Sequence, residues 1–169
     1  MKQLCRRTTT AIMLLAHELL PNGWDTTPNY EDANTPEKLR AYYEKTYRQL
    51  VWSGNCKDTI YGLPVGNLAF RAVHDWIHLE YGLGFNVEDE EIVFAIQSLL
   101  IQDVCRRHKS LNGCADRINT ILAADLMGVI EFHQKNGYYP KRQIDFVKDY
   151  LLNPGAALNK EYERYEEAE

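Results

Sequence analysis

Two histidines and an aspartate stand close together in the segment 70–78, which reads FRAVHDWIH. His74 and His78 are four residues apart, and this spacing places both imidazoles on one face of an α-helix, where they can bind the same metal ion. Asp75 and Arg71 fall within about 100° of the same arc. Neutral imidazole suits Zn, Fe, Mn, Ni and Co, and a neighbouring carboxylate adds an oxygen ligand or orients a ring. The segment therefore predicts a transition-metal site.

The same residues also have a purely structural interpretation. Histidines four residues apart occur on surface helices that bind nothing, and Asp75 can form an ion pair with Arg71, one turn earlier. The chain has only five histidines, so a histidine-rich composition does not explain the pair. Both interpretations stay open at this point.

A metal ion held by this pair needs ligands from other helices. Glu90 and Glu91 lie in the first turn of the next predicted helix, where acidic residues also complement the helix dipole. Asp125 interrupts an apolar run, and a buried carboxylate needs a cation or hydrogen bonds to compensate it. His133 lies eight residues later, and His17 stands among apolar residues of the first helix, which is more typical of a core histidine than of a ligand.

Several catalytic motifs are missing from the sequence. It contains no H-E-x-x-H, so a zincin peptidase is excluded, and no E-x-x-H of the kind that di-iron bundles carry in pairs. It also has no P-loop and no G-x-S-x-G. Hydrolysis or redox chemistry here would therefore depend on the metal site.

The elements that must position these residues are helices. Helical periodicity recurs along the chain, which predicts an all-α fold: a single compact bundle of about six to seven helices over residues 1–155, with a charged tail or frayed helix at 156–169. We expect a polar loop at 24–34. The predicted helices span 8–20, 35–52, 66–81, 86–108, 116–135 and 141–152.

Composition limits the function classes. The 19 basic and 24 acidic residues give a net charge of −5, which argues against a duplex nucleic acid as partner. No apolar stretch reaches the ~20 residues of a membrane span, and the N-terminus lacks the features of a secretory signal. The four cysteines show no C-x-x-C spacing and are typical of reduced thiols. These features favour a cytoplasmic protein.

An adjacent His-Asp pair on a helix, followed by a distant aspartate on a later helix, resembles the all-helical HD-domain metal-dependent phosphohydrolases. The pattern of that family is an early histidine, then His-Asp, then a later aspartate. By this resemblance His74-Asp75 is the central pair, Asp125 the last ligand and His17 the early histidine. The resemblance implies an HD-like fold and a phosphorylated substrate.

A second resemblance is more specific and covers residues 68–152. The segment F-R-x-x-H-D-x-x-x-H, followed by Gly84-Phe85 and Glu90, is similar to uncharacterised phage-borne proteins that read F-R-x-x-H-D-x-x-G-H, then G-x-x-F and G-E. Here Ile77 and Asp89 replace two of the family's glycines. The resemblance continues through the residues Asp125, Gly128, Phe132, Gly137, Pro140, Gln143 and Phe146. It implies a shared metal site in a protein of phage or mobile-element origin.

Together these features predict a metal-dependent hydrolase acting on a phosphate ester or nucleotide, with Mn, Fe, Co or Zn as cofactor. Arg71, with Lys141 or Arg142, would neutralise phosphate charge, and Glu90 or Glu91 would serve as general base or extra ligand. One alternative is a non-haem iron redox enzyme using the same cluster. Another is a non-catalytic phage protein that binds a host protein through exposed tyrosines. A homo-oligomer is compatible with each of these functions.

Overall fold

The arrangement of helices in the computed structural model confirms the predicted all-α class. The structure describes the backbone of residues 2–164 and the side chains of residues 6–164. Within that part, eight α-helices are joined by short loops and accompanied by one small sheet. The elements are α1 (Lys2–Leu19), β1 (Trp24–Thr27), α2 (Pro36–Thr46), β2 (Gln49–Trp52), α3 (Pro64–Tyr81), α4 (Val87–Arg107), α5 (Ala115–Asp125), α6 (Met127–Asn136), α7 (Gln143–Leu152) and α8 (Pro154–Asn159).

Helix α3 occupies the centre of the bundle and contacts α1, α2, α4 and β2. Val73 and Ile77, on its apolar face, are fully buried in the main core together with Ile12 and Leu15 of α1. Burial of such side chains contributes about 1.5–3 kcal/mol each. The polar residues of α3 are therefore held on a helix that cannot easily rotate or shift.

The prediction of one helix over 35–52 was wrong. Helix α2 ends at Tyr47, whose φ of 56° is left-handed and whose N–H donates to the Tyr43 carbonyl. The chain then forms β2, which pairs in parallel with β1. Strand β1 lies inside the segment 24–34, which we expected to be a polar loop. Arg48 stabilises this pairing because its guanidinium donates to the Asp25 carboxylate at 2.8 Å and to the carbonyl of Trp24.

Two other boundaries also differ from the prediction. The helix predicted over 116–135 is two helices, α5 and α6, which are divided at Leu126 (φ −96°, ψ −71°). The tail is helical only in α8, where Asn153 caps the first turn by accepting from the Ala156 N–H. Arg164 forms an antiparallel bridge with Pro140. The rest of the predicted tail, 165–169, lies outside the described residues.

No helix in the described part of the chain combines the length and the apolar character that a membrane span requires.

Arg71 fixes the connection between β2 and α3. One terminal nitrogen, Nη1, donates to the carbonyls of Trp52 and Gly54, both at 2.7 Å, and the guanidinium lies 5.1 Å from the centre of the Trp52 ring. No ion pair joins Arg71 to Asp75 among the described side chains, so the simple salt bridge considered from the sequence does not form. The arginine instead anchors the 52–55 turn to the helix.

We expect Arg71→Met to lower the free energy of unfolding by about 2–4 kcal/mol, because it removes charge-assisted hydrogen bonds and leaves partly buried carbonyls unpaired. Arg106→Met is the control, since Arg106 is exposed and pairs only with Asp103. Urea denaturation followed by circular dichroism measures both variants. Equal stability of the two variants would contradict the anchoring role of Arg71.

Candidate metal centre

The turn between α3 and α4 decides which acidic side chain meets the histidines. Gly82 ends α3 with a left-handed φ of 67°, which glycine adopts without strain, and its N–H donates to the His78 carbonyl. Four residues later Asn86 caps α4, and its side chain accepts from the Asp89 N–H at 3.0 Å. The two helices are thus joined by a short turn with both ends hydrogen-bonded.

Asp89 belongs to this turn and is not part of the group formed by the histidines. Its Oδ2 accepts from the Gly84 N–H at 2.8 Å and from the Asn86 amide at 2.7 Å. With Asp89 held in the turn, the next residue, Glu90, points towards α3, whereas Glu91 is exposed. The structure therefore separates the two glutamates, which the sequence left as alternatives.

His74, His78 and Glu90 come together at one point. The two imidazole Nε2 atoms are 3.0 Å apart. Glu90 Oε2 lies 3.2 Å from His74 Nε2, and Glu90 Oε1 lies 3.4 Å from His78 Nε2. One ligand atom from each residue falls within 4.8 Å of the other two, and the described residues form no other such group of three His, Cys, Asp or Glu side chains. Two imidazoles and one carboxylate can hold a single cation.

The separations between these atoms fit a first-row divalent ion. An ion with ligand bonds of about 2.0–2.1 Å places its ligand atoms about 3.3 Å apart in tetrahedral geometry and about 3.0 Å apart in adjacent octahedral positions. The two Nε2 atoms are 3.0 Å apart, and the nearer carboxylate oxygen of Glu90 lies 3.2 Å from one of them and 3.4 Å from the other, Oε2 facing His74 and Oε1 facing His78, so the contacts lie in this range when both oxygens are counted. The three side chains therefore need little movement to bind such an ion.

The electrostatics of the cluster also favour a cation. Burial by itself raises the pKa of Glu90, but hydrogen bonds from His74 and His78 outweigh it and lower that pKa to about 2. For His74, burial opposes the charged form, but the Glu90 carboxylate raises the pKa of the imidazole above its usual value. Positive charge is thus stabilised between these groups, whether a proton or a metal ion carries it.

Aromatic rings enclose the two imidazoles. Phe70 stacks against His74 with ring centres 5.9 Å apart, and Phe85 meets His78 edge-on at 4.6 Å. The His78 side chain is fully buried, and that of Glu90 is 13% exposed. The site is therefore shielded from bulk water but opens at one side.

Several buried polar atoms at the site have no partner among the described residues. They include Nδ1 of both histidines and both amide atoms of Gln97, a residue that is 1% exposed. Gln97 lies two helical turns after Glu90 on the same face of α4, close enough to His74 to raise the pKa of that imidazole. Gln97 was not among the site residues predicted from the sequence. The available signal was a polar side chain on the apolar side of α4, seven residues after a candidate ligand.

Asp75 lies beside the cluster without joining it. Its carboxylate has no hydrogen bond or ion pair within the described residues, and burial raises its pKa to about 6 against the opposing effect of His74. Arg71, whose donors are directed to backbone carbonyls, also acts on it from a distance. Asp75 and Arg71 therefore lie beside the site but do not contact the ligand atoms of His74, His78 and Glu90.

Asp125 belongs to a different buried contact. Its Oδ2 accepts a hydrogen bond from the Tyr61 hydroxyl at 3.0 Å, and its Oδ1 has no partner in the described part of the chain. Burial raises the pKa of Asp125 to about 6, although Tyr61 opposes this effect. The structure does not place Asp125 in the group formed by the two histidines and Glu90.

The remaining candidates also lie apart from the cluster. His133 stacks on Tyr139, and His17 is exposed, so the interpretation of His17 as a core histidine was wrong. Lys141 pairs with Glu163, and Arg142 pairs with Asp145.

We expect Asp125→Asn to stabilise the fold at pH 8 and to have no such effect below pH 4. A buried aspartate with a raised pKa binds its proton more tightly when folded, so the stability of the wild type falls as pH rises from about 4 to about 6. A shift to about 6 corresponds to about 2–3 kcal/mol at pH 8. Thermal or urea unfolding at both pH values, beside the exposed control Asp116→Asn, checks this. A loss of stability of the same size at both pH values would contradict it.

Comparison of this chain with protein-family models, with curated proteins and with solved structures found no match. The case for function therefore depends on the geometry of the His74, His78 and Glu90 cluster.

Proposed function

We propose that this chain is a mononuclear metal-dependent hydrolase whose single divalent ion is held by His74, His78 and Glu90. The observation that carries the proposal is the convergence of the two imidazole Nε2 atoms, 3.0 Å apart, with the Glu90 carboxylate, whose Oε2 lies 3.2 Å from His74 Nε2 and whose Oε1 lies 3.4 Å from His78 Nε2. Two histidines four residues apart and a glutamate from another helix are a ligand set that catalytic zinc sites use.

The number of ligands supports a catalytic role over a structural one. Structural zinc sites are closed by four protein ligands, whereas catalytic sites have three and leave a position for water or substrate. In the described part of the chain no fourth His, Cys, Asp or Glu side chain completes the cluster. A divalent ion bound there supplies Lewis-acid polarisation of a substrate oxygen and activation of a water molecule.

Residues around the cluster shield the ligands from water and can orient them. Phe70 and Phe85 pack against the imidazoles and keep bulk water from their sides, which strengthens electrostatic interactions at the site. The buried Gln97 side chain lies beside His74 and raises the pKa of that imidazole, so it can orient that ring or a bound water. Asp75 offers a carboxylate next to the ligands, and no other side chain in the described part of the chain forms a hydrogen bond or ion pair with it.

The choice of a phosphate ester or nucleotide as substrate comes from the resemblance to HD-domain enzymes. Three basic side chains were expected to neutralise phosphate charge, but each of them has other partners in the structure. Arg71 donates to the carbonyls of Trp52 and Gly54, and Lys141 and Arg142 are paired with acidic side chains. Charge on a phosphoryl group would therefore be balanced mainly by the metal ion itself.

A second candidate function uses the same atoms. Two histidines and one carboxylate with open positions form the ligand set of non-haem iron oxygenases. The identity of the metal distinguishes the two candidates, because iron that cycles between oxidation states would favour the redox enzyme and a redox-inactive ion such as zinc would favour the hydrolase.

The metal content of matched variants tests the site. We expect about one transition-metal ion per wild-type chain by plasma mass spectrometry, and a loss of at least tenfold in affinity for Glu90→Gln and His78→Asn. Glu91→Gln and His17→Asn are the matched controls, since both side chains are exposed. Wild-type protein that stays empty after dialysis against Mn, Fe, Co and Zn would overturn the proposal.

Hydrolysis is tested separately with p-nitrophenyl phosphate and bis-p-nitrophenyl phosphate on metal-loaded protein. We expect turnover that chelation abolishes and that Glu90→Gln lowers at least 100-fold, because metal-assisted activation of water requires all three ligands. Glu91→Gln should keep the wild-type rate. Equal rates in the Glu90→Gln variant and the wild type would show that the cluster is not responsible for the activity.

A further inference from the structure

Four aromatic side chains from separate segments lie around the metal centre. They are Tyr30, in the short 3₁₀ turn after β1; Trp52, at the end of β2; Phe85, in the α3–α4 turn; and Tyr139, between α6 and α7. Tyr30, Phe85 and Tyr139 are exposed by 47%, 39% and 45%. We call these four residues the aromatic rim. Large apolar rings at this level of exposure around a buried polar site are candidates for contacts with a ligand.

Contacts within the described structure place the rim at the site. Phe85 touches His78, with ring centres 4.6 Å apart. The Trp52 ring lies under the guanidinium of Arg71. Arg71 precedes His74 by about one turn of α3. The ring of Tyr30 meets Trp52 edge-on at 5.2 Å.

Tyr139 closes the rim on the side of Glu90. Its ring is held against His133, with ring centres 4.1 Å apart, and its phenol lies within electrostatic range of Tyr30 and Glu90. Because Tyr30 also contacts Trp52, the rim links the Glu90 side of the site to the α3 side.

The rings of the rim are held in place before any ligand binds. His133 stacks on one face of Tyr139, with ring centres 4.1 Å apart and planes 11° from parallel. This contact gives His133 a positioning role. The Trp52 indole N–H donates to the Pro28 carbonyl at 3.2 Å. Ring surfaces that are fixed in advance lose little conformational entropy when another ring stacks on them.

We propose that the aromatic rim binds the planar aromatic ring of a small substrate, of which a nucleobase is the model, while the other end of that substrate reaches the His74, His78 and Glu90 centre. The stacking of a ring on the rim is inferred from the rim itself. The contact between the rest of the substrate and the metal centre rests on the proposed function. The rim provides ring faces and phenol hydroxyls, which suit a flat, polar-edged ring better than an aliphatic chain.

The test compares two ligands that share a ribose 5-phosphate and differ at C1 of the sugar, which carries adenine in one and a hydroxyl in the other. Calorimetric titration of metal-loaded protein with adenosine 5′-monophosphate and with ribose 5-phosphate measures the contribution of the base. We expect the wild type to bind the nucleotide about tenfold more tightly, a ratio typical of one stacked base. That preference should fall to near one in Tyr139→Leu and decrease in Tyr30→Leu. It should persist in Tyr81→Leu, a control that removes an exposed tyrosine outside the rim.

The experiment distinguishes an incorrect proposal for the aromatic rim from an incorrect assignment of the metal site. Tyr139→Leu should bind metal as the wild type does, because Tyr139 is not a ligand. Equal affinity of the wild type for both ligands, or an undiminished preference in both rim variants, overturns the rim. If the protein takes up no metal, adenosine titrated into the metal-free protein still tests the stacking half. Saturable binding that Tyr139→Leu weakens supports it, and no binding overturns it.

Discussion

The structure depends on the convergence of two imidazole nitrogens and a carboxylate at the junction of α3 and α4. With the protons of both rings on Nδ1, the Nε2 lone pairs of His74 and His78 would face each other at 3.0 Å, with the Glu90 carboxylate beside them. Such an arrangement of acceptors is repulsive and costly in a buried site unless a hydrogen-bond donor or a positive charge lies among them. A proton on one Nε2, donated to the other ring or to Glu90, or a metal ion removes this repulsion, and the spacing suits the metal ion.

The surrounding fold keeps this arrangement from relaxing. Helix α3 is fixed by its buried apolar face, in which Val73 and Ile77 have no exposed surface. The Asn86 cap and the Asp89 carboxylate hold the beginning of α4, so the backbone at Glu90 keeps the position from which its side chain reaches α3. Preorganisation of this kind means that ion binding does not have to order the ligands first.

The helical class and the histidine pair could be predicted from the sequence because both depend on local periodicity. The spacing of His74 and His78 fixes their common face in any helix. The choice between Glu90 and Glu91 could not be made from the sequence, because it depends on how Asp89 closes the turn, and that contact depends on the backbone path through Gly82 and Gly84.

The errors have a similar origin. A helix end at Tyr47 requires a left-handed tyrosine, which its residue type does not favour, so the parallel strands after it were missed. For Asp125, the burial that its position in an apolar run indicates is confirmed. The run does not show what the carboxylate contacts, and in the structure its hydrogen-bond donor is the Tyr61 hydroxyl from a loop 64 residues earlier.

The most direct test of this account is the coordination shell of the bound ion, measured by X-ray absorption on protein loaded with one equivalent of zinc. The account predicts a shell of nitrogen and oxygen ligands at about 2.0–2.1 Å that includes two imidazoles. A shell containing sulfur at about 2.3 Å would mean that cysteines hold the ion, and a shell with no imidazole would mean that it is bound nonspecifically. Either result would contradict the assignment of His74, His78 and Glu90 as the metal centre.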